Sequence, residues 1–472
     1  MKSHLFGPAR GAASLRLLLA VTLLTAMMLS GCTSEPGLYP VASRAIEGYT
    51  DYTRGFEVYA SVNGVVLPEG LFVLAGSSLL SLEGKRFEEQ VRLSSEYRVP
   101  PDDPLGAGLL PHELQPWDGA IVMVREASDG TGQDGDTDTY HELVLVDVTG
   151  DGIATEVLLA APQIDQVLVV PGDDFATVMA VVSGDEETGR WLSTLRLTPD
   201  GPPKAVSEQI DVHPDLVTAE SAEGVSIGAL IMSAGTDDGQ QDSELRVFGP
   251  EGSPRWSASV PGSGLVGTFH GMNDSGWLVD TTSMPGPEEW DPELTLLTET
   301  SAERFELGSI NLRAITTGDF DAASPGDEIL LSGGTIIEPG RHESSLIIGT
   351  LADGRVEELY TVAEWDQRLR GVTLADVNGN GRSDIVVVVD TESPRHYEQY
   401  LGRVEVFLNS GDGFGPPLVS PVYDSIRSLD LIDLDGDGML EVLIAYVEHP
   451  EEAAWQGSHV EPQAYVDVLK IK

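Results

Sequence analysis

Residues Ser428–Val447 read S-L-D-L-I-D-L-D-G-D-G-M-L-E-V-L-I-A-Y-V. An alternating apolar segment is followed by a loop of carboxylates and glycines, and then by a continuous apolar segment. Alternation with a period of two predicts a strand with one buried face, and a short apolar run predicts a strand that is buried on both faces. The stretch therefore predicts two strands joined by a strongly acidic loop.

The loop has the composition of a site for a hard cation. Calcium takes six to eight oxygen ligands, and alternate residues of a tight turn can present their oxygens to one point. The glycines between the acids permit the positive φ angles that wrap a backbone around an ion. The predicted ligands, at relative positions one, three, five, seven (main-chain carbonyl) and nine, are Asp433, Asp435, Asp437, Met439 and Glu441.

The same pattern occurs 57 residues earlier and again 57 residues before that. In Val372–Val389 the corresponding residues are Asp376, Asn378, Asn380, Arg382 (by its carbonyl) and Asp384. In Ile315–Leu331 the residues at positions one, three and nine are Asp319, Asp321 and Asp327, and Ala323 replaces the ligand at position five. Equal spacing of such units indicates a repeat architecture. Because carboxylates favour calcium, the charge count predicts that the last loop binds it most tightly.

These loops resemble the FG-GAP and VCBS repeats of integrin-α-like β-propellers, and the phrase V-E-V-F-L-N-S-G-D-G-F at Val404–Phe414 is similar to the same family. The resemblance implies an all-β propeller of four-stranded antiparallel blades, with calcium as its cofactor. The family includes adhesion modules, lectins and some enzymes, so the resemblance indicates a fold more strongly than a function.

Apolar segments recur roughly every 50 residues, which suits four short strands and their turns in each blade. The predicted second strands are Leu71–Ala75, Ala120–Arg125, Thr177–Val182, Gly228–Ser233, Trp277–Thr281, Glu328–Ser332, Asp384–Val389 and Glu441–Val447. The predicted third strands are Leu79–Leu82, Glu142–Val146, Trp191–Leu197, Ser243–Phe248, Leu294–Leu297, Ser344–Ile348, Gly402–Leu408 and Ala464–Leu469. This register predicts eight blades, with seven as the alternative.

The two ends of the chain are expected to close the ring. The chain stops at Lys472, too soon for a fourth strand in the last unit. An open ring would leave exposed sheet edges, which invite aggregation. We therefore expect Phe56–Ser61 to pair with Ala464–Leu469.

One further acidic motif, Asp147–Gly152, follows a third strand, where the other units have hairpin turns. Thr155 at its ninth position cannot chelate a cation with two oxygens. We therefore interpret this motif as a turn and not as a metal site.

The formal charge of −50 argues against nucleic acid or an anionic membrane surface as the main partner, because both would repel the chain. The single cysteine, Cys32, excludes an internal disulfide. It follows a basic segment and a 13-residue apolar run, and Leu29–Cys32 resembles the lipobox of bacterial lipoproteins. The resemblance implies a signal peptide at 1–31, a lipidated cysteine and tether at 32–54, and the propeller at 55–472. Thr33 favours the outer membrane, with the lipid as the only membrane attachment.

A search for catalytic motifs finds no G-x-S-x-G, H-E-x-x-H or P-loop pattern. Loops opposite the acidic ones carry imidazole, guanidinium and aromatic groups, which suit a sugar or peptide site. The predicted ligand-binding residues are His342, Arg395, His396, Tyr397 and Trp455. We expect a monomeric, non-catalytic recognition or scaffolding module for an envelope or extracellular protein or glycan. The alternative is an envelope polysaccharide lyase, with Arg341, His342, Arg395 and His396 as its first acid-base candidates.

Overall fold

The computed structural model of the protein describes residues 37–46, 49–51, 57–59, 62–67, 70–75, 78–83, 86–92, 115–117, 120–128, 139–149, 152–171, 175–183, 190–198, 201–208, 216–221, 224–232, 242–261, 264–270, 275–281, 283–286, 289–291, 293–307, 312–320, 326–338, 341–392, 400–448 and 463–471. Every regular element within these ranges is a β-strand. Over the same ranges, no helix has the length and apolar character needed to cross a membrane.

The strands of the first part of the chain run from residue 38 to residue 208. They are β1 (Leu38–Ile46), β2 (Tyr49–Asp51), β3 (Glu57–Tyr59), β4 (Val62–Leu67), β5 (Gly70–Ala75), β6 (Ser78–Glu83), β7 (Arg86–Arg92), β8 (Gln115–Trp117), β9 (Ala120–Ser128), β10 (Thr139–Thr149), β11 (Gly152–Ala161), β12 (Gln163–Pro171), β13 (Ala176–Ser183), β14 (Arg190–Thr198) and β15 (Gly201–Glu208).

The strands of the second part run from residue 216 to residue 365. They are β16 (Leu216–Ser221), β17 (Gly224–Met232), β18 (Asp242–Phe248), β19 (Pro254–Pro261), β20 (Gly264–His270), β21 (Ser275–Asp280), β22 (Ser283–Gly286), β23 (Glu289–Asp291), β24 (Glu293–Leu297), β25 (Ala302–Glu306), β26 (Leu312–Gly318), β27 (Glu328–Glu338), β28 (Arg341–Ala352) and β29 (Arg355–Trp365). The last part contains β30 (Arg368–Ala375), β31 (Asp384–Glu392), β32 (Tyr400–Phe407), β33 (Leu418–Val419), β34 (Tyr423–Asp424), β35 (Ile426–Ile432), β36 (Glu441–Glu448) and β37 (Gln463–Ile471).

Successive strands form antiparallel four-stranded units. Four sheets follow the chain order, namely β4–β7, β8–β11, β12–β15 and β16–β19, and β30–β33 does the same with β34 beside β32. One eight-stranded sheet consists of β20-β21-β24-β25 and β26–β29, joined through the parallel pair Glu306–Arg355. Each predicted second and third strand overlaps a strand of the structure.

The last sheet has the order β1-β37-β36-β35 and corrects our prediction for the chain ends. Leu38–Ile46, which we assigned to a tether, is the strand that pairs with Gln463–Ile471. The predicted partner Phe56–Ser61 is wrong, since Glu57–Tyr59 within it pairs with Tyr49–Asp51. We did not predict strand β1 because it contains Pro40, and proline opposes strand pairing. It stands beside an irregularity in register, where a missing N–H is tolerated.

The apolar core lies between neighbouring sheets, and this explains the continuous apolar run of each second strand. Val442 and Ile444 of β36 pack with Val386 and Val404 of the preceding unit. The alternate residues of β36, beginning with Leu443, pack in a different cluster that includes Leu80 of β6. Side chains of a strand alternate between the two faces of its sheet, so a strand between two neighbours must be apolar on both.

Candidate metal-binding loops

Both complete acidic loops join the first strand of a unit to its second strand. The last residue before each loop pairs with the acid at position nine, as Ile432 does with Glu441 and Ala375 does with Asp384. Both position-nine side chains are buried, whereas Asp435 and Asp437 are exposed. The ladder of each hairpin therefore fixes one carboxylate at the base of the loop and leaves others at its mouth.

Hydrogen bonds within the last loop hold its shape. The carboxylate of Asp433 accepts from the backbone N–H of Gly436 at 2.8 Å and of Gly438 at 3.0 Å. Both glycines have positive φ, 72° and 81°, which other residues rarely adopt. The N–H of Met439 donates to Asp437 Oδ1 at 2.9 Å. The loop is thus wound around the carboxylate at its first position.

The loop at Asp376 repeats this arrangement. Asp376 accepts from the N–H of Asn380 at 2.9 Å and of Gly381 at 2.6 Å. Asn380 Oδ1 accepts from the N–H of Arg382 at 2.9 Å, and the side chain of Asn378 also accepts from Asn380 N at 3.1 Å. The two loops therefore share one winding, although amides replace two of the acids.

The acid at position nine reaches back to position two in both loops. Glu441 Oε2 accepts from the N–H of Leu434 at 2.9 Å, and Asp384 Oδ2 accepts from the N–H of Val377 at 3.0 Å. Burial raises the pKa of Asp384, and backbone hydrogen bonds oppose that rise. Each buried acid thus closes its loop as well as offering oxygens.

The loop at Asp319 differs from the other two loops at its last acid. Here the position-two N–H, of Phe320, donates to Glu328 Oε2 at 2.8 Å, and Gly318 pairs with Glu328. The loop is one residue longer than its two counterparts, so Glu328 takes the place that the spacing gave to Asp327. The carboxylate of Asp327 instead accepts from the N–H of His270 at 2.7 Å, and burial raises the pKa of Asp327.

The loops also join neighbouring units. Backbone or amide donors of one unit bind a main-chain carbonyl at the loop end of the unit before it. These bonds are Leu440 N to Val377 O at 2.9 Å, Asn409 Nδ2 to Phe320 O at 3.1 Å, and Asp327 N to His270 O at 2.8 Å. The loops therefore hold successive sheets together as well as closing their own hairpins.

One group of oxygens in the last loop can hold a cation. Carboxylate oxygens of Asp433, Asp435 and Glu441 lie within 4.8 Å of one another. Lys470 points its ammonium at this group, with Nζ 2.7 Å from Asp435 Oδ2, 2.8 Å from Glu441 Oε1 and 3.8 Å from Asp437 Oδ2. The pKa of Lys470 is raised by the bonds to Asp435 and Glu441, and the bond from Lys470 lowers the pKa of Asp435. No local sequence pattern indicates this lysine, which lies 29 residues beyond Glu441.

Most of the remaining predicted site residues lie outside the part of the chain that the structure describes. His342, which we expected in a loop, lies in strand β28, and only residues 339–340 separate this strand from β27. The motif at Asp147 is a hairpin turn as predicted, because Thr149 pairs with Gly152. Outside the described residues lie Cys32, Asp321, Arg395, His396, Tyr397 and Trp455.

Comparison with known families gives one match. Residues 376–444 match the FG-GAP-like repeat, and this segment includes the second loop and the last one. Together with the all-β fold, the match supports a repeat β-propeller family. A search of curated proteins finds no match.

Comparison with solved structures gives matches of low similarity. A mutant of the Synechocystis apocarotenoid oxygenase is 11% identical, with 79% of this chain and 96% of that chain covered and a TM-score of 0.40. A prolyl endopeptidase is 13% identical, with 92% and 58% covered and a TM-score of 0.36. Sucrose-6-phosphate hydrolase from Lactobacillus gasseri is 10% identical, with 96% of both chains covered and a TM-score of 0.29. Similarity at this level carries no argument about activity.

Proposed function

We propose that this chain is an eight-bladed β-propeller that binds calcium in its hairpin loops. It acts as a non-catalytic recognition or scaffolding module, and a lipid on Cys32 anchors it to the bacterial envelope, at the outer membrane. The observation that carries the proposal is the shared winding of the loops at Asp376 and Asp433, in which the backbone N–H groups at positions two and six donate to the acids at positions nine and one.

The order of the sheets supports the propeller. Contacts between the first strands of successive units run from β4 to β8, β12, β16, β20, β26 and β30, and β35 returns to contact β4. Leu80 of the first unit shares a core cluster with Val466 and Val468 of the last. Pairing of β1 with β37 gives the last unit its fourth strand from the other end of the chain. A ring of eight units accounts for all three observations.

The donor set of the last loop supports calcium. Its side-chain ligands are carboxylates, and calcium prefers oxygen ligands in flexible arrangements. Glu441 accepts one backbone hydrogen bond through Oε2, which leaves Oε1 directed at the cluster. Lys470 neutralises part of this charge, so a calcium ion would have to displace its ammonium. An ion enclosed in this way would brace the hairpin.

A binding experiment tests the recognition role. The full chain, purified with calcium, would be applied to arrays of glycans and to envelope protein extracts, and the same samples would be assayed for cleaved products. Retention of a ligand without product formation supports the proposal. Release of unsaturated sugars would contradict the non-catalytic role and would favour a polysaccharide lyase instead.

A further inference from the structure

An arginine occupies the same irregular position in the first strand of three consecutive units. In each strand one residue is left out of the ladder with the second strand: between Leu312 and Ala314, between Leu369 and Gly371, and between Ile426 and Ser428. The residues skipped are Arg313, Arg370 and Arg427, which are 57 residues apart. The repeat thus places an arginine at the bulge of β26, of β30 and of β35.

These positions lie at the end of the first strands that is remote from the acidic loops. Arg370 precedes Asp376 by six residues, which is about 20 Å along an extended strand. β-Bulges re-aim a side chain and often occur beside functional sites. In the corresponding bulges of β12 and β20 the skipped residues are Asp165 and Val266, so the fold itself does not demand arginine there.

The middle arginine links two neighbouring units. Arg370 Nη2 lies 2.6 Å from the carboxylate of Asp390, which is fully buried in β31. Its Nη1 donates to the carbonyl of Ile426, the first residue of β35. A guanidinium carries five N–H donors, so these two contacts orient the group and leave further donors. The partly buried Arg368 and Arg427 also act on Asp390 electrostatically.

This concentration of arginine is unusual in a chain with 77 acidic and 27 basic residues. The overall field repels anions, so an anion would bind only where fixed positive groups converge. Arginine matches carboxylates better than lysine does, because its planar fork offers two parallel hydrogen bonds. A row of arginines on adjacent strands suits a ligand with several carboxylates.

We propose that Arg370 and Arg427, with Arg368 beside them, form a binding site for a polycarboxylate at the end of the first strands opposite the acidic loops. The proposal rests on the recognition role proposed above and names its ligand chemistry. It does not depend on the metal, because no loop ligand takes part. Carboxylates of this kind occur in uronic acid oligomers and in acidic peptides, and the experiment separates these two sources.

Calorimetric titration of the full chain with trigalacturonate and with triglutamate tests the site, at a fixed excess of free calcium so that neither probe strips the loops. We expect at least one probe to bind and Arg427→Gln to weaken it by roughly tenfold to a hundredfold, the range for losing a charge-assisted hydrogen bond. Which probe binds identifies the source.

Two controls separate binding from folding and from overall charge. The double variant Arg370→Gln/Asp390→Asn removes the ion pair as a unit, so that no buried carboxylate is left alone, and it should also lose affinity. Arg355→Gln removes one positive charge from an exposed pair with Glu357 and should bind as the wild type does. Failure of both probes to bind, or equal weakening by Arg355→Gln, would overturn the proposal. Unchanged affinity in Arg427→Gln and in the double variant would do the same. Neither result bears on calcium binding, which is measured separately.

Discussion

The ammonium of Lys470 lies 2.8 Å from Glu441 Oε1, at the base of the last acidic loop. The two residues lie side by side because Leu469 of β37 pairs with Val442 of β36, and the strands are antiparallel. Lys470, the next residue of β37, is therefore placed beside Glu441. The chain thus supplies a cation of its own to the most acidic of its loops. Counting carboxylates alone favours this loop for calcium, but the lysine offsets part of that advantage.

Replacing this lysine is expected to strengthen calcium binding by the last loop. Lys470→Met removes a positive charge that lies within 4 Å of three carboxylates. This charge would repel a calcium ion bound by the same carboxylates. We expect roughly a tenfold gain in affinity by calorimetry, a value that already allows for screening by solvent around the partly exposed side chain. Arg355→Gln serves as the charge control. Unchanged affinity in Lys470→Met would show that the ammonium does not compete for the site.

Two glycines of the loop at Asp376 allow the cost of backbone strain to be distinguished from the cost of a steric clash between loops. Gly379 and Gly381 both have positive φ, but a Cβ on Gly379 would lie 2.8 Å from the carbonyl oxygen of Gly438, whereas a Cβ on Gly381 meets nothing within 4 Å. Gly381→Ala should cost about 1–2 kcal/mol of unfolding free energy through backbone strain alone. Gly379→Ala should cost measurably more in denaturant unfolding, because neighbouring loops collide. Equal costs would mean that these loops do not touch in solution.

The first strand should stabilise the whole domain. Deleting residues 33–46 removes β1 and exposes the edge of β37, so the melting temperature should fall and aggregation should increase. Deleting only residues 33–36 leaves the strand in place and is the matched control. If the longer deletion melts as the shorter one does, the pairing of Leu38–Ile46 with Gln463–Ile471 contributes little.

Buried carboxyls should make the protein more stable in mild acid than at neutral pH. Burial raises the pKa of Asp467, which accepts a hydrogen bond from the Tyr446 hydroxyl at 3.5 Å. The folded state therefore holds this proton more tightly than the unfolded chain does. The resulting stability is present in full below the ordinary value, about 3.9, and is lost as pH rises through the raised pKa.

Asp467→Asn tests this reasoning, because an amide stays neutral at every pH. The variant should show a flatter dependence of unfolding free energy on pH between about pH 4 and 7 than the wild type shows. Denaturant unfolding at several pH values, with ionic strength held constant, gives the comparison. A wild-type protein whose stability rises steadily across that range would contradict the direction of the effect.

The sequence predicted the strands well because both faces of each second strand are buried, as the run from Val442 to Val447 shows. It predicted two loop windings through the repeated positions of Asp376 and Asp433. Other features depend on contacts that no local pattern reports. The first strand was not predicted because it contains Pro40.

Because the loop at Asp319 has one extra residue, the spacing of the other loops led us to Asp327. Only the hydrogen bond from Phe320 shows that Glu328 corresponds to the last acid of the other two loops. Lys470 was missed for a similar reason, since only the pairing of two strands distant in sequence brings it to Glu441. The arginines at the bulges share the 57-residue spacing of the loops, but their common position becomes evident only when the ladder shows which residues it skips.

Titration of calcium into the chelator-treated full chain tests whether the loops bind this ion. Calorimetry should show saturable binding that is lost in the double variant Asp376→Asn/Asp433→Asn. The unfolding free energy of the wild type alone should rise, by about 2.7 kcal/mol when free calcium is a hundredfold above the dissociation constant. An absence of binding heat, with the same melting temperature in chelator and in calcium, would show that the loops do not bind calcium.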